Sequence, residues 1–279
     1  MIQQINIPPA CPLRPYIKAY QWMGTPAVFD DWVEERILPV PVSGLCFQFG
    51  RRLPLLVSHG RREKEVLPAS YVLPPNTKPF TIHYLGGVQM LGAVFHPAAF
   101  FELFGWSQNE FTDRTVPLED TDGRQELLVL QEKLEEAEVP EKMAKLLDAY
   151  FLQKLKGKRE GNPAIKQAMG ALAREGGAVQ FQTLLKESGV GSRHLRRLFN
   201  QYLGMPPRDF LRIYRFYRAY WALLGGRYSS LTTLALDAGY YDQAHFIHDF
   251  HHFTGLSPQQ LLEREFKIQD KVAWKNGGM

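Results

Sequence analysis

A chain of 279 residues with 45% hydrophobic and 22% charged side chains has room for two ordinary soluble cores. No apolar run nears a bilayer span, and the first fifteen residues lack the basic-then-apolar order of a secretion signal. Cys11 and Cys46 are too few for a disulfide framework or a cysteine zinc cluster. Cytoplasmic residence without membrane attachment is therefore the default expectation. The net charge of +4 is unevenly placed: residues 161–279 carry 15 Lys and Arg against nine Asp and Glu, and residues 1–160 carry 18 against 20.

The first third is rich in proline and in short apolar runs. Ile37–Val42, Leu45–Phe49, Leu53–Val57, Tyr71–Leu73, Phe80–Leu85 and Val88–Phe95 are predicted strands, punctuated by Gly50, Pro54, Pro74-Pro75-Asn76 and Gly86-Gly87. Such spacing predicts an antiparallel sheet or small barrel. Phe47, Phe49, Phe80, His83, Tyr84 and Phe95 alternate with smaller residues. Phe47, Phe49, Phe80, His83 and Phe95 are thus candidates to line a ligand pocket, and an ordinary aromatic core is the competing reading. His59, His83 and His96 are scattered and lack the clustered pattern of a barrel metal enzyme. No nucleophile–His–Asp order, paired acidic motif or Gly-rich phosphate loop stands out. The expectation is no cofactor, no metal and no catalytic site.

Pro97–Phe104 is a predicted short helix. Arg124–Glu138 and Glu141–Lys156 follow, with Leu127, Leu130 and Leu134, then Met143, Leu146, Leu147 and Tyr150, at helical spacing. They could pack on the sheet or on the same helices of a second subunit. Lys156–Pro163 has no large apolar side chain and is the predicted linker. The division expected is 1–156, a linker at 157–163, and 164–279. The fold class is α+β: a strand-rich N-terminal half with trailing helices, then an all-α half.

Beyond the linker nearly everything is predicted helical: Pro163–Glu175, Gln180–Ser188, Ser192–Leu203, Pro207–Leu224, Leu231–Ala238, Gln243–Phe253 and Pro258–Phe266. Two stretches repeat one pattern. Leu184-Leu185-x3-Gly189, then Leu195-x3-Phe199-x4-Gly204-x-Pro206-Pro207, parallels Leu234-Ala235-x3-Gly239, then Phe246-x3-Phe250-x4-Gly255-x-Ser257-Pro258. Each copy reads as helix, glycine turn, helix and Gly/Pro stop. That is a helix-turn-helix unit, whose second helix is shaped to enter a DNA major groove.

In Ser192–Leu203, Leu195, Leu198, Phe199 and Tyr202 form the core stripe. Arg193, Arg196, Arg197 and Asn200 share another face at i, i+3, i+4, i+7, and the helix has no acid. Arg can pair bidentately with guanine and Asn with adenine. Between Gly189 and Tyr228 there are eight arginines and one acid, Asp209. In the second copy Phe246, Phe250 and Phe253 are the core set. Gln243, Ala244, Ile247, His248 and His251 make a less charged reading face, with Gln243 suited to adenine and Ala244 and Ile247 to thymine methyls. His248 with His252, or His245 and His252 with Asp249, is a conceivable metal pair or triad, but no further ligand is evident and Asp249 equally suits an arginine. The helix between the units carries Arg208, Arg212, Arg215 and Arg218. Its six aromatic residues exceed one core face, so it should be buried on two sides and hold the readers about one DNA turn, roughly 34 Å, apart. Asp237 and Asp242 are candidate partners for its arginines.

Residues 162–265 resemble the DNA-binding domain of the AraC/XylS family of bacterial transcription regulators. Gly239-Tyr240-Tyr241-Asp242-Gln243-Ala244-His245-Phe246, Phe250 and Gly255-Leu256-Ser257-Pro258 carry the likeness. Leu185 stands where that family usually has Ala, Gly191 where it has a Ser cap, and His248 and His251 where it has Arg or Lys. The N-terminal part, with Leu91-Gly92-Ala93-Val94-Phe95-His96-Pro97 and Phe111-Thr112-Asp113, is similar to a sensor-like domain found ahead of this module. The resemblance implies a sequence-specific regulator bound to double-stranded DNA, with a small-molecule effector, RNA polymerase and a second copy of the chain as further candidate partners. The alternative is a barrel-domain metal enzyme with a helical docking module.

Overall fold

The computed structural model describes residues 3–25, 28–49, 55–58, 64–226 and 228–263. Ten strands come first: β1 (Gln3–Ile7), β2 (Ile17–Gly24), β3 (Val28–Ile37), β4 (Gly44–Phe49), β5 (Leu56–Ser58), β6 (Glu65–Val66), β7 (Ser70–Leu73), β8 (Phe80–Gly86), β9 (Gln89–Phe95) and, after helix α1 (Ala99–Phe104), β10 (Val116–Pro117). They form two antiparallel sheets, ordered β1-β2-β9-β4-β7-β10 and β3-β8-β5-β6. The two sheets face each other across Cys46, Tyr71, Leu55, Val57, Leu67 and Tyr84, which share one apolar cluster.

The larger sheet is covered on both faces, so β4 is buried along its whole length. Its period-2 alternation divides the side chains. Leu45, Phe47 and Phe49 of β4, Val72 of β7, and Leu91, Ala93 and Phe95 of β9 point to the outer face. There they meet α1, α2 (Arg124–Ala137) and α3 (Pro140–Lys156) through Phe100, Leu127, Leu130, Leu134, Leu147 and Phe151. Asp148 of α3 fastens this layer, accepting from Tyr20 Oη and the Ala10 amide, both at 2.9 Å. The two trailing helices thus pack on their own sheet.

Five strands were not expected from the sequence: β1, β2, most of β3, and the two-residue β6 and β10. β3 reads Asp-Asp-Trp-Val-Glu-Glu-Arg, with charge on both faces, which hides it from an apolar count. The predicted strand at Ile37–Val42 is instead the end of β3 and an irregular stretch. Pro39 and Pro41 have no amide to give a ladder there. Helix α1 begins at Ala99, after Ala98 in the left-handed region, and not at Pro97.

The C-terminal helices follow the sequence closely: α4 (Pro163–Glu175), α5 (Phe181–Ser188), α6 (Ser192–Leu203), α7 (Pro207–Leu224), α8 (Leu231–Asp237), α9 (Gln243–Thr254) and α10 (Pro258–Leu262). The extension of the last helix to Phe266 lies outside the described residues. α5–α6 and α8–α9 are the two repeated units, with α7 between them. Phe199 of α6 meets Phe210 of α7 edge-to-face at 5.7 Å, and Phe216 of α7 meets Phe250 and Phe253 of α9 at 5.8 and 4.7 Å. α7 is thus clamped on two sides. The turn between α4 and α5 also touches the turn inside the second unit through glycine backbones. A Cβ on Gly239 would lie 2.0 Å from the Gly177 carbonyl oxygen, and one on Gly177 would lie 1.8 Å from that of Ala238. Only glycine permits this approach.

The predicted linker lies against α1: the Arg159 amide donates to Glu102 O at 2.8 Å and its guanidinium covers the Phe101 ring. The halves share apolar surface. Leu38, Val42, Val94, Ala98 and Phe101 belong to the same buried cluster as the C-terminal helices.

Candidate nucleic-acid interface

Helix α6 sorts its side chains as an amphipathic helix must. Leu195, Leu198, Phe199, Tyr202 and Leu203 are buried; Arg193, His194, Arg196 and Arg197 are exposed, and Asn200 and Gln201 are half-buried. Arg193, Arg196, Arg197 and Asn200 come together on one wall of an open cleft of about 1290 Å³. Gly191, His194 and Gln201 complete that wall, and Ser107 and Asn109 of the N-terminal half form the other. The Arg196 guanidinium carbon also lies 5.6 Å from the centre of the Phe181 ring, a cation–π contact at the edge of the cleft. With no acid on α6, these guanidiniums have no helical ion-pair partner, and a polyanion is the natural complement.

Helix α9 is built differently. Asp242 caps it, accepting from the His245 amide at 2.7 Å. Phe246, Phe250 and Phe253 face inward. Ala244, His248 and His251 are exposed, with Gln243 and Ile247 half-buried beside them, so the five residues of the less charged face are presented together. Gln243 Oε1 accepts from Thr232 Oγ1 at 2.7 Å, which fixes the amide and leaves its NH₂ group as a donor.

Asp249 is buried and takes two bonds on Oδ1 from Arg212, Nε at 3.0 Å and Nη2 at 2.8 Å. Arg212 also lies over Phe253, with 4.9 Å from the guanidinium carbon to the ring centre. The pair ties α7 to α9. It accounts for Asp249 without a metal, and among the described residues no three His, Cys, Asp or Glu are placed to hold one. The arginine partner on α9 is Asp249; among the described ion pairs, Asp237 and Asp242 are not used by the α7 arginines. Arg215 lies over Tyr240, and Arg208 and Arg218 are exposed. Burial and the repulsion of Arg212 both lower the His252 pKa, so the neutral ring is favoured there.

The N-terminal half holds an apolar cavity of about 170 Å³ between the two sheets. Met23, Cys46, Tyr71, Leu73, Met90 and Gly92 wall it on the larger sheet, and Glu35, Ile37, Phe80, Ile82 and Tyr84 on the smaller. Of the five candidate ligand residues, Phe80 alone lines it. Phe47, Phe49 and Phe95 point to the opposite face of their sheet, into the helix-covered core. His83 is buried behind the wall, its Nε2 2.9 Å from Ser58 Oγ and its Nδ1 3.0 Å from Glu34 Oε1. Alternation gives two faces for a strand; it does not say which one borders the cavity when both are buried. Burial pushes the Cys46 thiol up to about 12, so it serves as an inert wall.

Residues 184–264 match a family model described as "Helix-turn-helix domain". This chain carries an AraC-type helix-turn-helix domain. The matched span of that helix-turn-helix domain opens inside α5 and takes in both units and α7. Residues 5–117 match a second model, described as "Domain of unknown function (DUF6597)". Among solved structures the chain is similar to ToxT from Vibrio cholerae, with a TM-score of 0.48 and 11% identity over 94% of this chain and 97% of that one. It is also similar to the DNA-binding domain of AdpA in complex with a target DNA (TM-score 0.34, 22% identity, 36% of this chain and 90% of that one). A third similarity is to an AraC-type regulator from Chromobacterium violaceum (TM-score 0.32, 25% identity, 35% and 88%). No curated protein shows a significant sequence match.

Proposed function

We propose that the chain is a sequence-specific transcription regulator that binds double-stranded DNA through α6 and α9, with residues 164–279 as the binding domain and residues 1–156 as a sensor. The observation that carries this reading is the acid-free, outward arginine face of α6 in a duplicated helix-turn-helix frame. In this reading Arg193, Arg196, Arg197 and Asn200 supply the charged contacts. Gln243, Ala244, Ile247, His248 and His251 read a second groove segment with little charge. The cavity between the sheets is the effector site. A second copy of the chain and RNA polymerase are the protein partners, and the cytoplasm is the place of action. Leu128 and Val129, exposed on α2 at 40% and 45%, offer apolar surface to a second copy. A monomer in sedimentation at all concentrations would remove the dimer from this proposal.

The test is binding to sites selected from a random duplex pool across a salt series. A recovered consensus, with affinity falling steeply as salt rises, is expected. No preferred site and a flat salt response would overturn the reading. The barrel-enzyme alternative gains no supporting observation. His83 is committed to Ser58 and Glu34, His96 is half-buried with its pKa lowered by burial and then by Lys18, and His59 lies outside the described residues.

A further inference from the structure

The N-terminal half touches each reading helix at the same point of the repeat. Gly204 closes α6 five residues after Phe199, and Gly255 closes α9 five residues after Phe250; both have positive φ. At the first cap, Thr112 Oγ1 donates to the Gly204 carbonyl at 2.5 Å. A Cβ on Gly204 would sit 2.6 Å from both Pro75 Cγ and Thr112 Oγ1. Phe101 lies on Tyr202 of the same turn at 4.3 Å. At the second cap, Arg36 Nε donates to Phe253 O at 3.2 Å, and its Nη1 lies 3.3 Å from where a Gly255 Cβ would be. Both bonds go to C-terminal carbonyls that α-helices leave unpaired.

The same two contact segments wall the cavity. Leu73, Pro74 and Thr115 line it, and the next residue after Pro74, Pro75, presses on Gly204. Pro75 and the 112–115 stretch are fastened together: the Asp113 amide donates to Pro75 O at 3.2 Å, and Asp113 Oδ1 accepts from the Thr77 amide at 2.7 Å. On β3, Glu35 and Ile37 line the cavity while Arg36 between them reaches α9, as strand alternation requires.

We propose that the inter-sheet cavity receives a compact, ring-sized, largely apolar molecule, and that its filling is passed to both readers by two arms, Pro74–Pro75 with Thr112 to the α6 cap and β3 with Arg36 to the α9 cap. This deepens the regulator reading and rests on it. The size follows from the volume: an apolar cavity of about 150 Å³ takes benzene. Glu35, which accepts from Tyr84 Oη at 3.3 Å, places a carboxylate on an otherwise mostly apolar wall. The readers touch bases near their N-termini. A shift at the cap of a twelve-residue helix therefore acts on a lever about 18 Å long.

The test reads amide exchange in the full chain and needs no DNA, so it stands apart from any failure of the regulator reading. The cavity is filled in two ways, with added indole and with Gly92→Val, whose new Cβ meets its nearest neighbour, Leu73 Cδ1, at an ordinary 3.8 Å. Both should change exchange in residues 200–205 and 251–256 by about fivefold or more. In the arm-cut chain Thr112→Val with Arg36→Met, either filling should change it less than about twofold. An equal response in the arm-cut chain overturns the arms. Failure of indole to bind overturns the ligand class, and no response in either reader segment overturns the coupling. If Gly92→Val does not fold, the indole arm decides alone.

Discussion

Arg196 and Arg197 stand outward on α6, so their loss should cost binding and little else. Changing either to Ala is expected to weaken affinity for the selected site by about 1–3 kcal/mol if it reads a base, with the melting temperature unmoved. Titration of labelled duplex checks it; unchanged affinity would remove that arginine from the interface. Asp249 behaves in the opposite way. Asp249→Ala strips the anion from Arg212, whose side chain is one-third exposed, and should cost about 2–3 kcal/mol in urea unfolding. A change below half a kcal/mol would show that the pair does not tie α7 to α9. Both placements were partly legible in the sequence. The arginine stripe was readable because a 3.6 period fixes which residues share a face. Asp249 offered either a metal or an arginine partner, and only the packing of α7 on α9 chose. Phe47, Phe49 and Phe95 were visible as buried aromatics, but the face on which the cavity lies depends on a second sheet whose charged strand β3 gave no apolar signal.

Among elements, the helices of the second half were legible to within a residue or two at most ends, since glycine and proline punctuate them and their apolar spacing is regular. What the sequence did not reveal is how the turn ahead of α5 is locked against the second unit. Gly177 read as part of a helix stop and Gly239 as a turn; their backbones in fact meet. Gly239→Ala places a Cβ against the Gly177 carbonyl at a φ of +92°. It should destabilise the fold by about 3 kcal/mol or more and lower the thermal midpoint, whereas Gly189→Ala, with nothing within 4 Å of its Cβ position, should carry the positive-φ strain without the clash and cost less. Equal losses in calorimetry would mean that the close approach adds nothing. Contacts such as Arg36 to Phe253, more than 200 residues apart, have no local sequence signal at all.

At the scale of the molecule, α7 between two aromatic clamps fixes α6 relative to α9, and the N-terminal half grips both caps. Such a body should tolerate changes within a groove segment far better than changes in the distance between segments. The direct measurement is the affinity for the selected duplex with about five base pairs inserted between the two contacted segments, half a helical turn, which moves one segment to the far side of the DNA. Affinity falling to that for unrelated sequence is the expected result. Affinity unchanged by the insertion would contradict the account, because each helix would then be reading alone.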